Sequence, residues 1–185
     1  DYELPVKFED VASFAVIAQE KLKSVRAEIS AIKRLGLAQE VLQQKVQEAQ
    51  QLAEVKTRAE VRLGELTSAM PKAQGTRKDL TSPSRAEKSD TKSKALKRVK
   101  ISSQKASQYE LMAAHPEIVE QAIAEAREND DIVSRSLVLN MIKNEKRKAD
   151  LQQQIEKLEQ KPLVQPDGLF NVIVIDPPWA YGTGY

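Results

Sequence analysis

The chain has 185 residues, with 29 Lys and Arg against 27 Asp and Glu, one His and no Cys. These counts exclude a disulfide framework, a thiol nucleophile and the usual Cys/His zinc sites, and no metal site is predicted. No apolar run approaches the roughly eighteen residues of a membrane span, and the acidic first ten residues do not resemble a secretory signal. We therefore expect a cytoplasmic protein with no membrane partner.

Residues 1–70 have the composition and spacing of long helices. Ala, Gln, Glu, Lys, Leu and Val dominate, and these lose little rotamer freedom in a helix. Gly36 predicts a break, so we expect one helix from its N-cap Asp10 to Leu35, and a second that Pro71 ends. The apolar stripe is narrow and rich in small residues, which favours an antiparallel helical hairpin or a coiled coil. Either arrangement could mediate homo-oligomerisation.

A basic segment follows, and residues 71–100 are predicted to be a flexible linker. From Lys72 to Lys105, eleven Lys and Arg stand against three acids, a net charge of +8 that leaves −6 on the rest of the chain. Such a segment is too polar to bury a core. Flexible cations can contact phosphates without fixed geometry, because neutralising phosphates releases counterions. The residues predicted to contact nucleic acid are Lys94, Lys97, Arg98, Lys100 and Lys105. A solvated linker without a partner is the alternative.

Residues 101–160 are predicted to form a small helical module and a connector helix. Helices are expected over residues 104–114 and 117–128, with a turn at 129–131, and a third helix runs from about 136 to 160, before Pro162. The candidate N-caps are Ser102 or Ser103 for the first helix and Ser134 or Ser136 for the third. Short helices joined by tight turns are compatible with a helix-turn-helix module.

Two stretches of this region resemble known DNA-binding proteins. Ile101 to Tyr109, Ile-Ser-x-x-x-Ala-Ser-x-Tyr, resembles the helical modules of ParB-like and phage-borne proteins, and Arg62 to Lys72 is similar to the segment that precedes such modules. The resemblance implies DNA as a partner. The charge departs from the pattern, because Ala106 to Asn140 holds seven acids against two arginines. Contact with nucleic acid and a plain helical adaptor both stay open.

The composition changes in the last sixteen residues, which hold four of the eight aromatic side chains. Residues 169–175 form a β-branched apolar run without alternation, which is typical of a strand buried on both faces of a parallel α/β sheet. One strand is not stable alone. Because the chain also starts without Met and stops at Tyr185 in a turn-rich segment, we expect it to be a piece of a longer protein.

The tetrapeptide Asp176-Pro177-Pro178-Trp179 follows this run directly, at the strand end where α/β sheets bind ligands. The amine of adenine is a poor nucleophile, because its lone pair is delocalised into the ring. The Asp176 carboxylate and the Pro177 carbonyl can accept both amine hydrogens and favour a more tetrahedral nitrogen. The two prolines keep the backbone extended and free of N–H groups. Trp179 offers an aromatic face for a flipped base.

This motif is similar to the catalytic motif of S-adenosylmethionine-dependent amino-methyltransferases, and its Trp form resembles the MT-A family of adenine N6-methyltransferases. The resemblance covers Phe170 to Tyr181. It implies that residues 161–185 begin a methyltransferase catalytic domain that takes S-adenosyl-L-methionine as cofactor. The implied site residues are Asp176, Pro177, Pro178 and Trp179 for catalysis, Trp179 and Tyr181 for substrate binding, and Asp176 for cofactor binding.

The sequence thus predicts a mainly α fold, with long helices and a small helical module, followed by the first strand of a truncated α/β methyltransferase domain. The predicted function is the amino-terminal part of an adenine N6-methyltransferase that acts on nucleic acid, with DNA favoured over RNA. In that family the cofactor-binding loop follows this motif, so we expect the fragment alone to be inactive. The alternative is a non-catalytic DNA-binding or adaptor protein of a phage or mobile element, which a stop codon after Tyr185 would favour.

Overall fold

The computed structural model describes residues 4–36, 39–71 and 91–159, and in these ranges it contains six helices and no strand. The helices are α1 (Phe8–Leu35), α2 (Gln39–Ala69), α3 (Lys92–Arg98), α4 (Ser103–Ala113), α5 (Pro116–Glu128) and α6 (Arg135–Glu159). A mainly α chain is confirmed. The predicted strand over 169–175 lies outside the described residues. The chain divides into two compact units, Asp1–Lys148 and Ala149–Tyr185.

Helices α1 and α2 form an antiparallel hairpin. Ala15 packs in one buried cluster with Leu63, and Ile29 packs in the other with Ala49, so the start of α1 faces the end of α2. The break predicted at Gly36 is confirmed: this residue adopts φ +63°, and its N–H donates to the carbonyl of Ile32. Glycine adopts this left-handed conformation without steric cost, which ends the helix cleanly.

The start of α1 differs from the prediction, because Asp10 is not the N-cap. The helix begins at Phe8, and Lys7 occupies the cap position without a side-chain hydrogen bond. The ring of Phe8 is only 7% exposed, so the earlier start buries an aromatic side chain in the core. Asp10 instead lies in the first turn, where its charge is favourable near the helix N-terminus.

Helices α2 and α4 cross in backbone contact at Gly64. A Cβ atom on Gly64 would lie 2.0 Å from the carbonyl oxygen of Tyr109 and 2.9 Å from the Cβ of Ala113. No side chain fits in that space, so the crossing requires glycine although Gly64 lies inside a 31-residue helix. This contact fixes the position of α4 on the hairpin.

Part of the predicted linker is a helix, so the prediction of residues 71–100 as wholly flexible is wrong at its carboxyl end. Helix α3 covers Lys92–Arg98, and its Ala95 and Leu96 are buried against the Phe8 and Leu63 cluster. Two apolar residues in a seven-residue helix suffice here because an existing core receives them. Residues 72–90 lie outside the described ranges.

The caps of the remaining helices follow the sequence. The Ser102 hydroxyl accepts a hydrogen bond from the N–H of Lys105 at 3.3 Å, and the Ser134 hydroxyl accepts one from Leu137 at 3.2 Å, which identifies these two serines as the caps. Helix α5 begins at Pro116 and buries its apolar face against the hairpin. Helix α6 is exposed over residues 143–158. None of the described helices has the length and apolar content needed to cross a membrane.

Candidate nucleic-acid interface

The five cations predicted to contact nucleic acid all lie on the segment from α3 to the first turn of α4, and all are exposed. Lys94, Lys97 and Arg98 lie on α3, whose buried Ala95 and Leu96 turn the charged side chains outward. Arg98 donates to Glu9 of α1 at 2.7 Å, so part of its charge is balanced. The segment is therefore a structured basic edge.

Lys100 ends α3 in an unusual backbone conformation. Its φ is +56°, its N–H donates to the carbonyl of Lys97 at 3.2 Å, and the N–H of Ile101 donates to the carbonyl of Leu96 at 3.0 Å. These two hydrogen bonds define a Schellman motif, in which the left-handed residue is usually glycine. The hydrophobic contact that accompanies the motif is present too, because Ile101 packs on the cluster that contains Leu96.

A basic groove of about 410 Å³ extends from this segment across α1, α2 and the start of α6. The charged residues that line it are the cations Lys23, Lys56, Lys100, Lys105 and Arg135 and the acids Glu20 and Glu60. Two of the five predicted cations therefore line the groove, whereas Lys94, Lys97 and Arg98 lie outside its lining. We refer to this cavity as the basic groove.

The cations of the basic groove differ in how they are paired. Lys23 pairs with Glu20 at 2.7 Å, and Lys56 lies 3.2 Å from Glu60. Lys100 and Lys105 have no acidic partner within the part of the chain that the structure describes. Since an anion in the groove would meet two cations that no carboxylate neutralises, these two lysines are its best candidate ligands.

The basic groove is bounded by a buried ion pair that joins three helices. Glu60 of α2 is 2% exposed and accepts from Arg135 of α6 at 2.5 and 3.1 Å. The guanidinium carbon of Arg135 lies 4.9 Å from the ring centre of Tyr109 in α4, within cation–π distance. The hydrogen bond to Glu60 raises the pKa of Arg135 above its ordinary value, so this side chain stays charged. Arg135 thus links α6 to α2 and α4 at the edge of the groove.

Sequence reasoning missed Lys23, Lys56, Glu60 and Arg135. Glu60 and Arg135 are 75 positions apart, and no local pattern links them. The available signal was an acid directly after Ala59 on the apolar side of α2, because a carboxylate at the edge of a core needs a cationic partner.

The predicted catalytic residues Asp176, Pro177, Pro178 and Trp179, and the predicted substrate contact Tyr181, lie outside the described residues. Within the described ranges no group of three or more His, Asp and Glu side chains could hold a metal ion. No protein-family model, curated protein or solved structure matches the chain.

Proposed function

We propose that the chain is the amino-terminal part of an adenine N6-methyltransferase that acts on nucleic acid, DNA rather than RNA. The observation that carries this proposal is the tetrapeptide Asp176–Trp179 directly after the apolar run 169–175. Its similarity to the MT-A catalytic motif is specific, because an acid, two prolines and a Trp directly after a predicted strand serve one chemistry together. The exposed cations of α3 and the basic groove support a nucleic-acid substrate.

In this proposal the Asp176 carboxylate and the Pro177 carbonyl hold the adenine amine. Both groups accept hydrogen bonds and neither donates, so together they fit an NH₂ group and orient its lone pair. Trp179 stacks on the base, and Tyr181 adds a second aromatic contact. S-adenosyl-L-methionine supplies the methyl group when bound. Transfer to nitrogen would be direct, without covalent chemistry on the protein: the carbon–nitrogen bond would form as the carbon–sulfur bond breaks, and the amine would release one proton to water.

The helical part positions the nucleic acid in this proposal. Residues 106–140 carry seven acids against two arginines, so contact through α5 is disfavoured and the phosphates are assigned to Lys100 and Lys105 in the basic groove. Phosphate contacts set register and orientation but carry no direct sequence information. Selection of the target adenine is accordingly assigned to the catalytic part.

The test is Asp176→Ala in the intact protein, with Asp167→Ala as the matched control just before the apolar run. Transfer of labelled methyl from S-adenosyl-L-methionine to adenine is measured on DNA and RNA of the same sequence. We expect Asp176→Ala to abolish transfer and Asp167→Ala to retain it, because only Asp176 holds the amine. Full activity of Asp176→Ala would refute the catalytic assignment, and transfer to RNA alone would refute the choice of DNA.

A non-catalytic DNA-binding or adaptor protein is the second candidate, and the acid excess of residues 106–140 favours the adaptor form of it. The same methyl-transfer assay distinguishes the two candidates. An adaptor binds its partner through the helical part and transfers no methyl group in any form, whereas the enzyme transfers methyl groups when its catalytic domain is present.

A further inference from the structure

Helix α1 carries a stripe of exposed residues on a face that does not contribute to the core. The stripe consists of Ile17, Lys21, Ser24, Glu28, Ala31 and Leu35, and all six are exposed. At about 100° per residue they lie within roughly 40° of one line along the helix. Ile17 and Leu35 are 56% and 72% exposed, so a large apolar side chain faces solvent at each end of the stripe.

The order of side chains along this α1 stripe is self-complementary. Apolar residues stand at both ends, and a cation and an anion stand inside them. Ser24 separates the two charges, and Ala31 lies between Glu28 and Leu35. The midpoint between Lys21 and Glu28 falls within about two residues, roughly 3 Å, of the midpoint between Ile17 and Leu35. Reading the stripe backwards therefore places each apolar residue near an apolar one and each charge near its opposite.

The charges around the stripe reinforce this pattern. Glu28 and Glu48 both pair with Lys45, at 2.7 and 2.9 Å, so two carboxylates share one ammonium and this group of three side chains is net negative. Their hydrogen bonds raise the pKa of Lys45 to about 12. Lys21 has no ion-pair partner in the described ranges. The two charged positions inside the stripe thus have opposite sign.

A groove of about 380 Å³ between α1 and α2 runs beside the stripe. Ile17, Lys21 and Glu28 line it on one side, and Leu52 and Val55 of α2 line it on the other. A long apolar side chain from an opposing helix could enter it, as a knob enters a hole between packed helices.

We propose that the α1 stripe is the contact face of a homodimer, in which α1 of one copy lies antiparallel to α1 of a second copy across a two-fold axis. Lys21 of each copy then lies opposite Glu28 of the other, and Ile17 of each lies near Leu35 of the other. Such an isologous contact closes at two copies, because each stripe is fully used by its partner. The proposal is independent of the methyltransferase assignment.

The test is a charge reversal followed by its compensation, measured by sedimentation of the whole chain over a concentration series. Lys21→Glu and Glu28→Lys each place like charges opposite one another, and each is expected to raise the dimer dissociation constant at least about tenfold. The double variant restores the opposite charges across the contact and is expected to recover most of the lost affinity, the rest being lost because Glu28→Lys also breaks the Glu28–Lys45 pair within each chain. The control is Arg26→Glu, which reverses a charge on the opposite side of the same helix.

The proposal would be overturned if the unmodified chain stays monomeric over the whole series. It would also be overturned if the double variant dimerises no more tightly than the two single variants. Equal effects of Lys21→Glu and Arg26→Glu would do the same, since they would show a general charge effect. Circular dichroism of every variant separates loss of the dimer from loss of the fold. Ile17→Arg, which keeps the charged pairs and removes an apolar end, is expected to weaken the dimer as well.

Discussion

Lys100 and Asp130 occupy the same backbone position in two helix ends, but with different chemistry. Both have positive φ, +56° and +51°, after α3 and α5. Asp tolerates this conformation comparatively well because its short polar side chain can bond locally, whereas a lysine there costs about 1–2 kcal/mol relative to right-handed backbone. Lys100 also lines the basic groove, so under the proposed function its phosphate contact would offset this cost in stability.

Replacing Lys100 by Gly should therefore change stability and binding in opposite directions. We expect a stability gain of about 1 kcal/mol, because glycine adopts positive φ freely. The affinity for DNA should fall. The slope of log affinity against log salt concentration should become shallower by about 1, the amount expected for the loss of one phosphate contact. Chemical denaturation and fluorescence anisotropy at several salt concentrations measure the two effects. Asp130→Gly is the control, and equal affinities of the two variants would remove Lys100 from the interface.

Gly64 offers a test in which local and tertiary effects have opposite signs. Helix propensity alone predicts that Gly64→Ala gains about 1 kcal/mol. The 2.0 Å approach of its Cβ to the Tyr109 carbonyl instead predicts a loss of about 2–4 kcal/mol, because backbone must move. Gly36→Ala, where no atom lies within 4 Å of the added Cβ, should cost only about 1 kcal/mol of backbone strain. A Gly64→Ala variant as stable as the parent would show that the α2–α4 crossing is looser than described.

At the scale of elements, two Arg–Glu pairs tie α2 to the helices that follow it. Glu60 binds Arg135 at the start of α6, and Glu54 binds Arg127 at the end of α5. The acids are alike, at 2% and 6% exposed, but the arginine side chains are 24% and 60% exposed. The first pair is therefore much better shielded from water, and it should matter more for stability.

Arg135→Ala is accordingly expected to cost about 2–4 kcal/mol, since it leaves a buried carboxylate with only Lys56 beside it. Arg127→Ala should cost less, because the Arg127 side chain is itself 60% exposed and Arg58 remains 3.7 Å from Glu54. Urea unfolding of both variants makes the comparison. The prediction is that Arg135→Ala loses more stability than Arg127→Ala, and equal losses would contradict it.

Helix ends were predictable from the sequence where local chemistry sets them. Gly36, Pro71, Ser102 and Pro116 each act through their own backbone or a neighbour within four residues. Helix α3 was not predictable in this way, because its stability depends on burying Leu96 in a core built by distant residues. The same holds for the basic groove: Lys100 and Lys105 stood out by charge, whereas the other lining residues meet only in the folded chain.

For the whole molecule, the buried phenol of Tyr109 predicts how stability depends on alkaline pH. Burial raises the pKa of Tyr109 above its ordinary value, and Glu60 adds to the rise. The folded chain therefore keeps this proton at a pH where the unfolded chain has lost it, so stability is retained below pH about 10 and falls as pH rises above it.

Tyr109→Phe tests this, since phenylalanine cannot ionise. At neutral pH the variant should be slightly less stable than the parent, because the 3.4 Å contact between the hydroxyl and Arg135 is lost. Above pH about 10 the difference between the two chains should shrink or reverse. Thermal unfolding at a series of pH values measures it, and a difference that stays constant across the series would show that Tyr109 titrates normally.

The ion pairs of Glu54 and Glu60 also limit the order in which parts of the chain can fold during synthesis. Their partners lie 73 and 75 positions later, so the α1–α2 hairpin leaves the ribosome well before Arg127 and Arg135 exist. Until then the two carboxylates have only Lys56 and Arg58 of their own helix beside them, and the surface at Gly64 lacks the cover of α4. The hairpin is thus an incomplete folding unit until α4, α5 and α6 are made, and during this interval its uncovered apolar face is open to aggregation and to chaperones.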